Sequence, residues 1–294
     1  MKSVLIPGLA LLILTSMGVA IKPGGVRENS RVMSTVNLTP RSKSPQVDTV
    51  TIPDDTVPKV TIPPGTIQVL TDDIKPQKSG IKTCQRTTFN QQDVVNRQDA
   101  KLMWEGLFEK KGRVYLQRTR IKIKRVHSEV DQEPSDKTGW DVQCKNRDDN
   151  IILIYGAKGL VDGMLKTALH ATEIYYAGQV IRFKYYGIMY TLYTTGIKRD
   201  GRIYNYKLFL MAKVKGHYMN QQLRSLSDDE ALGNWGEMSQ DEQIEFAGDL
   251  DGDHIPDFII EGSGFPYSFS SLYLSKPAGN KAIVKFVSSF GDSD

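Results

Sequence analysis

Tyr190-Thr-Leu-Tyr-Thr-Thr-Gly-Ile197, then Lys198-Arg-Asp-Gly201, then Arg202-Ile-Tyr-Asn-Tyr-Lys-Leu-Phe-Leu-Met-Ala-Lys-Val214 is the clearest statement of fold class in this chain. Both long runs are rich in β-branched and aromatic residues, which suit a pleated surface. Asp200-Gly201 between them supplies the left-handed backbone that a tight hairpin turn requires. The chain should therefore fold back on itself here as two antiparallel strands. Four tyrosines punctuate the region: Tyr190, Tyr193, Tyr204 and Tyr206. They fit either cross-strand packing or a sugar-binding surface.

The same strand vocabulary continues in both directions. Upstream, residues 114–126 place Arg118, Arg120, Lys122 and Lys124 at period two on one face, with Thr119, Ile121 and Ile123 on the other. The basic row reads as a solvated face, or as a contact for anionic glycans, phosphates or lipid headgroups. No aromatic residue interleaves with it, so a nucleic-acid platform is not expected. Residues 141–144 and 151–155 are short apolar strands. Downstream come strands at 258–261, 270–274 and 282–290, with a turn at 277–280. Two helices are expected. One spans 91–109, capped by Asn90 and carrying an interrupted apolar face through Leu102, Leu107 and Phe108. The other is short, opened by a capping box from Ser239 to Glu242 and running to Phe246. Residues 159–176 suit either state. The sum is an α+β fold, predominantly antiparallel β, with a disordered N-terminal segment.

The ends of the chain set its context. Residues 1–20 combine Lys2, an apolar run too short to span a bilayer, and Gly18-Val19-Ala20. This is the pattern of a removable signal peptide, the alternative being an N-terminal core helix. Residues 21–80 hold eight of the 13 prolines and no aromatic residue. Such a stretch cannot bury enough apolar surface to offset the entropy of ordering, and reads as a tether. Within it Val50-Thr-Ile-Pro53 recurs as Val60-Thr-Ile-Pro63, a short extended or β-edge element. Residues 81–294 form the expected globular domain. No later segment is apolar enough to be transmembrane, so a secreted or periplasmic protein is expected. In that compartment Cys84 and Cys144 most simply form one disulfide, with two buried thiols or one reactive thiol as alternatives.

A net charge of +4 conceals a strong segregation. Between Leu226 and Ser275 there are twelve acids and no Lys or Arg, which leaves the rest of the chain at +16 (38 basic minus 22 acidic). Self-repulsion of this kind strains a compact state unless a bound divalent cation, or the basic part of the same molecule, relieves it. Inside the window lies Asp249-Leu-Asp-Gly-Asp-His-Ile-Pro-Asp257, with carboxylates at loop positions 1, 3, 5 and 9. The candidate ligands are Asp249, Asp251, Asp253, Asp257 and the carbonyl of Ile255. Oxygen donors at this spacing suit Ca2+ and argue against zinc or copper. Gly252 permits the curl. His254 stands where an EF-hand loop has glycine, and Ile260 where it has a bidentate glutamate, so a regulatory EF-hand is not expected. The missing ligand places affinity in the weak extracellular range, roughly 0.1–1 mM. The alternative is an acidic, solvated turn.

Asp249-Leu-Asp-Gly-Asp-His-Ile-Pro-Asp-Phe-Ile-Ile260 resembles the calcium loop and following strand of FG-GAP and VCBS-type repeats of exported proteins. The resemblance implies calcium on Asp249, Asp251, Asp253 and Asp257. It covers one loop and one strand, and a single copy does not imply the propeller that such repeats build in series. Signatures of a nucleophile elbow, a zinc protease, a phosphate loop or a dinucleotide site are absent. The reading is therefore an exported protein with a structural calcium, acting as a binding domain. The alternative is a calcium-dependent extracellular hydrolase using carboxylates of the acidic window, for instance Glu242 and Glu245.

Overall fold

The computed structural model describes residues 48–50, 60–70, 80–89, 95–127, 137–174, 176–199, 202–226, 231–235, 238–239, 241–264 and 267–293, all within one compact unit, residues 41–294. The expected signal peptide and Asp200-Gly201 lie outside these residues.

The expected hairpin is present. β13 (Ile188–Arg199) and β14 (Arg202–Val214) pair antiparallel down to Arg199 opposite Arg202. They form the middle of an eight-stranded sheet. Its main path runs β1 (Asp48–Val50), β12 (Val180–Tyr185), β13, β14, β15 (His217–Ser225), β2 (Ile67–Val69). β16 (Ala231–Trp235) pairs with the far end of β14, and β17 (Met238–Ser239) with β16. A five-stranded sheet follows the order β11 (Thr167–Glu173), β18 (Asp241–Gly248), β19 (Asp257–Gly264), β20 (Tyr267–Leu274), β21 (Lys285–Ser293). A second five-stranded sheet runs β10 (Gly163–Met164), β6 (Arg113–Thr119), β5 (Trp104–Lys110), β9 (Asp149–Tyr155), β3 (Lys82–Cys84). The last has three strands: β4 (Thr88–Phe89), β8 (Gly139–Cys144) and β7 (Ile121–Val126). All described pairings are antiparallel except β2 with β15.

Three apolar clusters stack these sheets. Phe258 and Ile260 of β19 pack with Leu192, Leu208 and Leu210 of the eight-stranded sheet. Ile259, between them, points the other way, to Leu107, Leu116 and Ile152. Leu153 then faces away from Ile152, to Trp104, Val142 and Cys144 beside the three-stranded sheet. The sheet holding β18 and β19 is thus covered on both faces. That is why Phe258-Ile259-Ile260 is continuously apolar rather than alternating.

The α+β expectation is corrected: the described fold is β, and its only helical pieces are short 3-10 turns at Asp99–Lys101 and Lys276–Ala278. In the expected helix at 91–109, residues 104–109 belong to β5. Leu107 and Phe108 mimic part of a helical face because β5 is buried on both sides. The expected short helix after Ser239 is β18. Its capping-box Glu242 is a buried core residue, and a bulge between Ile244 and Phe246 turns Phe246 to the opposite cluster from Ile244.

Three further expectations change. Cys84 and Cys144 are free thiols, both buried in one cluster, and no disulfide joins them. Burial, and secondarily Asp99, pushes the Cys84 thiol far above its usual range. The basic row is cut at Arg120, because β6 and β7 belong to different sheets. All four basic side chains are exposed, and Arg118 pairs with Glu105 at 3.1 Å. Finally, two pieces of the expected tether, β1 and β2, pair with β12 and β15, and Gln68 Oε1 accepts from Asn220 Nδ2 at 2.9 Å.

Candidate metal centre

The acidic loop is the connection between β18 and β19, whose ends pair as Gly248 opposite Asp257. Two residues hold left-handed backbone to make it turn, Gly252 at φ 79° and His254 at φ 67°. At position 252 a glycine adopts this freely; at 254 a histidine carries some strain. Leu250, wholly buried, pins the loop into the cluster beneath, and its carbonyl accepts from the Val161 N–H at 2.9 Å.

Backbone amides pre-orient the carboxylates. Asp249 accepts from the N–H groups of Gly252, Asp253 and His254 at 2.7, 3.1 and 2.9 Å. Asp257 accepts from Leu250 N–H at 2.7 Å and from Ser275 N–H at 2.6 Å. Asp251 accepts from Lys276 N–H at 3.1 Å. Asp249, Asp251 and Asp257 each offer an oxygen, and the three lie within 4.8 Å of one another. Oxygens that bind one calcium at about 2.3–2.6 Å are separated by just such distances.

Of the four expected carboxylate ligands, the fold brings these three together. Asp253 turns aside, its Oδ1 accepting from Ile255 N–H at 2.8 Å and from Ser275 Oγ at 2.9 Å. Ile255 packs its side chain into the core. Asp251 is 2% exposed and Asp257 0%. Burial first, then Asp253, raises the Asp251 carboxyl. Burial first, then Asp251, raises Asp257 well above the carboxylate range. Three clustered carboxyls, two of them buried, require a proton or a cation.

Sequence reading missed the partners outside the loop. Ser275 and Lys276 lie just past β20, and Lys276 Nζ reaches the Asp251 carbonyl at 3.3 Å. Tyr185 on β12 accepts from Asp249 N–H at 3.0 Å, and the exposed Tyr186 ring stacks on His254 with centroids 4.3 Å apart. No local signal marks these residues. Charge spacing does hint at one: Arg224 and Lys276 are the basic residues that bracket the acid-only window, and both fold back onto it.

The other acids of interest lie along β18. Glu242, 1% exposed, pairs with Arg224 of β15, whose guanidinium also lies 3.6 Å from the centre of the Phe269 ring. Burial raises the Glu242 carboxyl while Arg224 and Tyr206 pull it back. Glu245 meets His170 Nε2 at 3.8 Å, and His170 meets Glu109 at 3.4 Å. Burial, then Glu261 and Glu109, pushes Glu245 up to about 7. Tyr190 and Tyr206 are wholly buried and Tyr193 nearly so, which corrects the sugar-surface alternative for these three.

No family model matches the chain, and neither a curated protein nor a solved structure is similar to it. No helix among the described residues is long and apolar enough to cross a membrane, which leaves strands aside.

Proposed function

We propose that this is an exported calcium-binding protein in which the ion is structural, locking the β18–β19 connection to the Ser275–Lys276 turn. In this reading the loop is a lone member of the FG-GAP/VCBS type, and the molecule acts by binding. One observation carries it: three carboxylate oxygens within 4.8 Å of one another, held on backbone amides, with two of their residues nearly or wholly buried. A solvated acidic turn would splay its carboxylates into water; here the like charges face one another out of it. The donor set is oxygen only, which suits a hard cation. Burial also speaks for a structural ion. Asp251 and Asp257, which a calcium-dependent hydrolase would need near substrate, are the least accessible acids of the loop. The exposed basic residues Arg118, Arg120, Lys122 and Lys124 make anionic glycan or lipid the favoured class of partner.

Calorimetry of folded protein against CaCl2, with MgCl2 as the comparison, tests the ion. The expected result is one site with a dissociation constant of roughly 0.1–1 mM for calcium and weaker heat with magnesium. No heat at millimolar calcium, together with a melting temperature identical in EDTA and in calcium, would overturn the proposal.

A further inference from the structure

We infer that the outer face of the eight-stranded sheet, turned away from β18 and β19, is a binding surface for an acidic polysaccharide built of uronic-acid sugars. The inference rests on the reading above that the molecule acts by binding an anionic partner. It narrows that partner to one class and seats it on a surface other than the β6–β7 basic residues.

Charge singles out this sheet. Strands β12 to β15 carry eight Lys and Arg and no Asp or Glu. Their inner face is closed by the cluster that holds Phe183, Leu192, Leu210 and Met219. The alternate residues therefore share the outer face. One row runs Arg182, Thr191, Met211, Asn220 and Gln68, each opposite the next across five strands. In the neighbouring row Lys184 stands opposite Met189, and Lys213 opposite Tyr218. Arg182, Lys184, Lys213 and Gln68 are exposed, as are Met189 at 54% and Tyr218 at 40%. Neither lysine forms an ion pair with a described acid. At the rim Asp48 of β1 stands opposite Arg182, so the two lysines are the cations left for a ligand.

Two features favour a sugar polymer over other polyanions. Gln68 is held in place from behind: Tyr193 donates its O–H to Asn220 Oδ1 at 3.0 Å, and Asn220 Nδ2 donates to Gln68 Oε1 at 2.9 Å. Its own amide N–H groups are thereby left to donate to a ligand's hydroxyls. Tyr218 offers an apolar ring with a polar tip, and Lys213 Nζ lies 5.4 Å from the ring centre. A sugar ring can rest on the phenol while its carboxylate meets the ammonium. A single-stranded nucleic acid would need a series of free rings. On this face Tyr193 is buried and stacks on Phe209 with centroids 5.0 Å apart, which leaves Tyr218 as the exposed ring.

The intact chain is tested on immobilised hyaluronan, with immobilised neutral dextran and phosphatidylserine vesicles as comparisons. Hyaluronan should retain it, less so as salt rises, and the other two should not. Lys184→Gln with Lys213→Gln should weaken retention roughly tenfold, through lost charge-assisted hydrogen bonds. Tyr218→Ala and Gln68→Ala should each weaken it roughly threefold. None of these exposed changes should move the melting temperature or the calcium affinity. Retention that falls with the lysines and ignores both Tyr218 and Gln68 is bare ionic attraction and overturns the sugar assignment. Stronger binding to the vesicles overturns it too. Retention lost in Lys122→Gln with Lys124→Gln and kept in the Lys184 and Lys213 variant overturns this surface and leaves the anionic-partner reading standing. A parent held by none of the three probes overturns the inference, while the calcium reading stands or falls on its own calorimetry.

Discussion

Two ends of one strand bury negative charge in opposite ways. At its start, β18 carries Glu242 into the core and the chain supplies the counter-charge itself, with Arg224 of β15 in contact with the carboxylate. At its far end, β18 runs into Asp249, Asp251 and Asp257, where the described basic group is Lys276, an exposed side chain bonded to a carbonyl rather than to a carboxylate. The first site is a closed ion pair that nothing from outside can enter. The second has converging oxygens and, among the described residues, no internal cation bonded to them. Burying charge is costly in either case. What differs is whether the balancing charge is part of the sequence, and that difference separates a stabilising pair from a ligand site.

The sharpest way to break the comparison is to remove the internal cation. Arg224→Met leaves Glu242 buried and unpaired, which should cost about 3–5 kcal/mol in urea unfolding. Adding Glu242→Gln to it should recover most of the loss, since a neutral amide tolerates burial far better than a lone carboxylate. A double variant no more stable than the single one would mean that Arg224 matters for its packing on Phe269, not for its charge.

The external cation gives the next effect. Adding 10 mM calcium should stabilise the protein by about 1.5–3 kcal/mol, from mass action at the expected affinity. Asp251→Asn should abolish most of that gain. In EDTA the same variant should be at least as stable as the parent, because one of three mutually repelling carboxyls has been neutralised. Glu242→Gln, by contrast, should destabilise with or without calcium, since it strips Arg224 of its partner. Neutralising an acid thus has opposite signs at the two ends of β18 when calcium is absent. Equal signs would remove the distinction drawn here.

The contrast also explains what could be read from sequence. Residues 188–214 were legible because both runs are rich in β-branched and aromatic residues and an Asp-Gly step divides them. The loop was legible because its ligands come from nine consecutive residues. β5 was not: Trp104 and Phe108 serve one cluster and Leu107 another, and burial on both faces erases the period of two. β18 was misread because Ser239 and Glu242 stand at the spacing of a capping box, and because its bulge between Ile244 and Phe246 shifts the phase of the strand midway. Arg224 on β15 and Ser275 just past β20 reach their acids from distant parts of the sequence, and only the folded arrangement brings them there. An even number of cysteines carries no information about distance, so Cys84 and Cys144 could share a cluster without a bond.

Glu245, midway along β18, sharpens the comparison with a third solution, the proton. Its neighbours are Glu109 on β5, His170 on β11, Glu261 on β19 and Gln243 on its own strand. His170 balances these acids only when it is itself protonated. The Glu245 carboxyl is raised from 4.5 to about 7 in the fold. A raised carboxylate binds its proton more tightly folded than unfolded, so its contribution to stability is present at low pH and is lost as pH rises between those two values. One proton sets the ceiling on the slope, about 1.4 kcal/mol per pH unit. Unfolding in urea across pH 5 to 8, with calcium held saturating to silence the loop, should show stability declining over this window. Glu245→Gln should flatten the decline, because the amide needs no proton to be buried. An unchanged slope in that variant would assign the pH dependence to other groups and leave β18 with two ways of burying charge, the arginine and the ion.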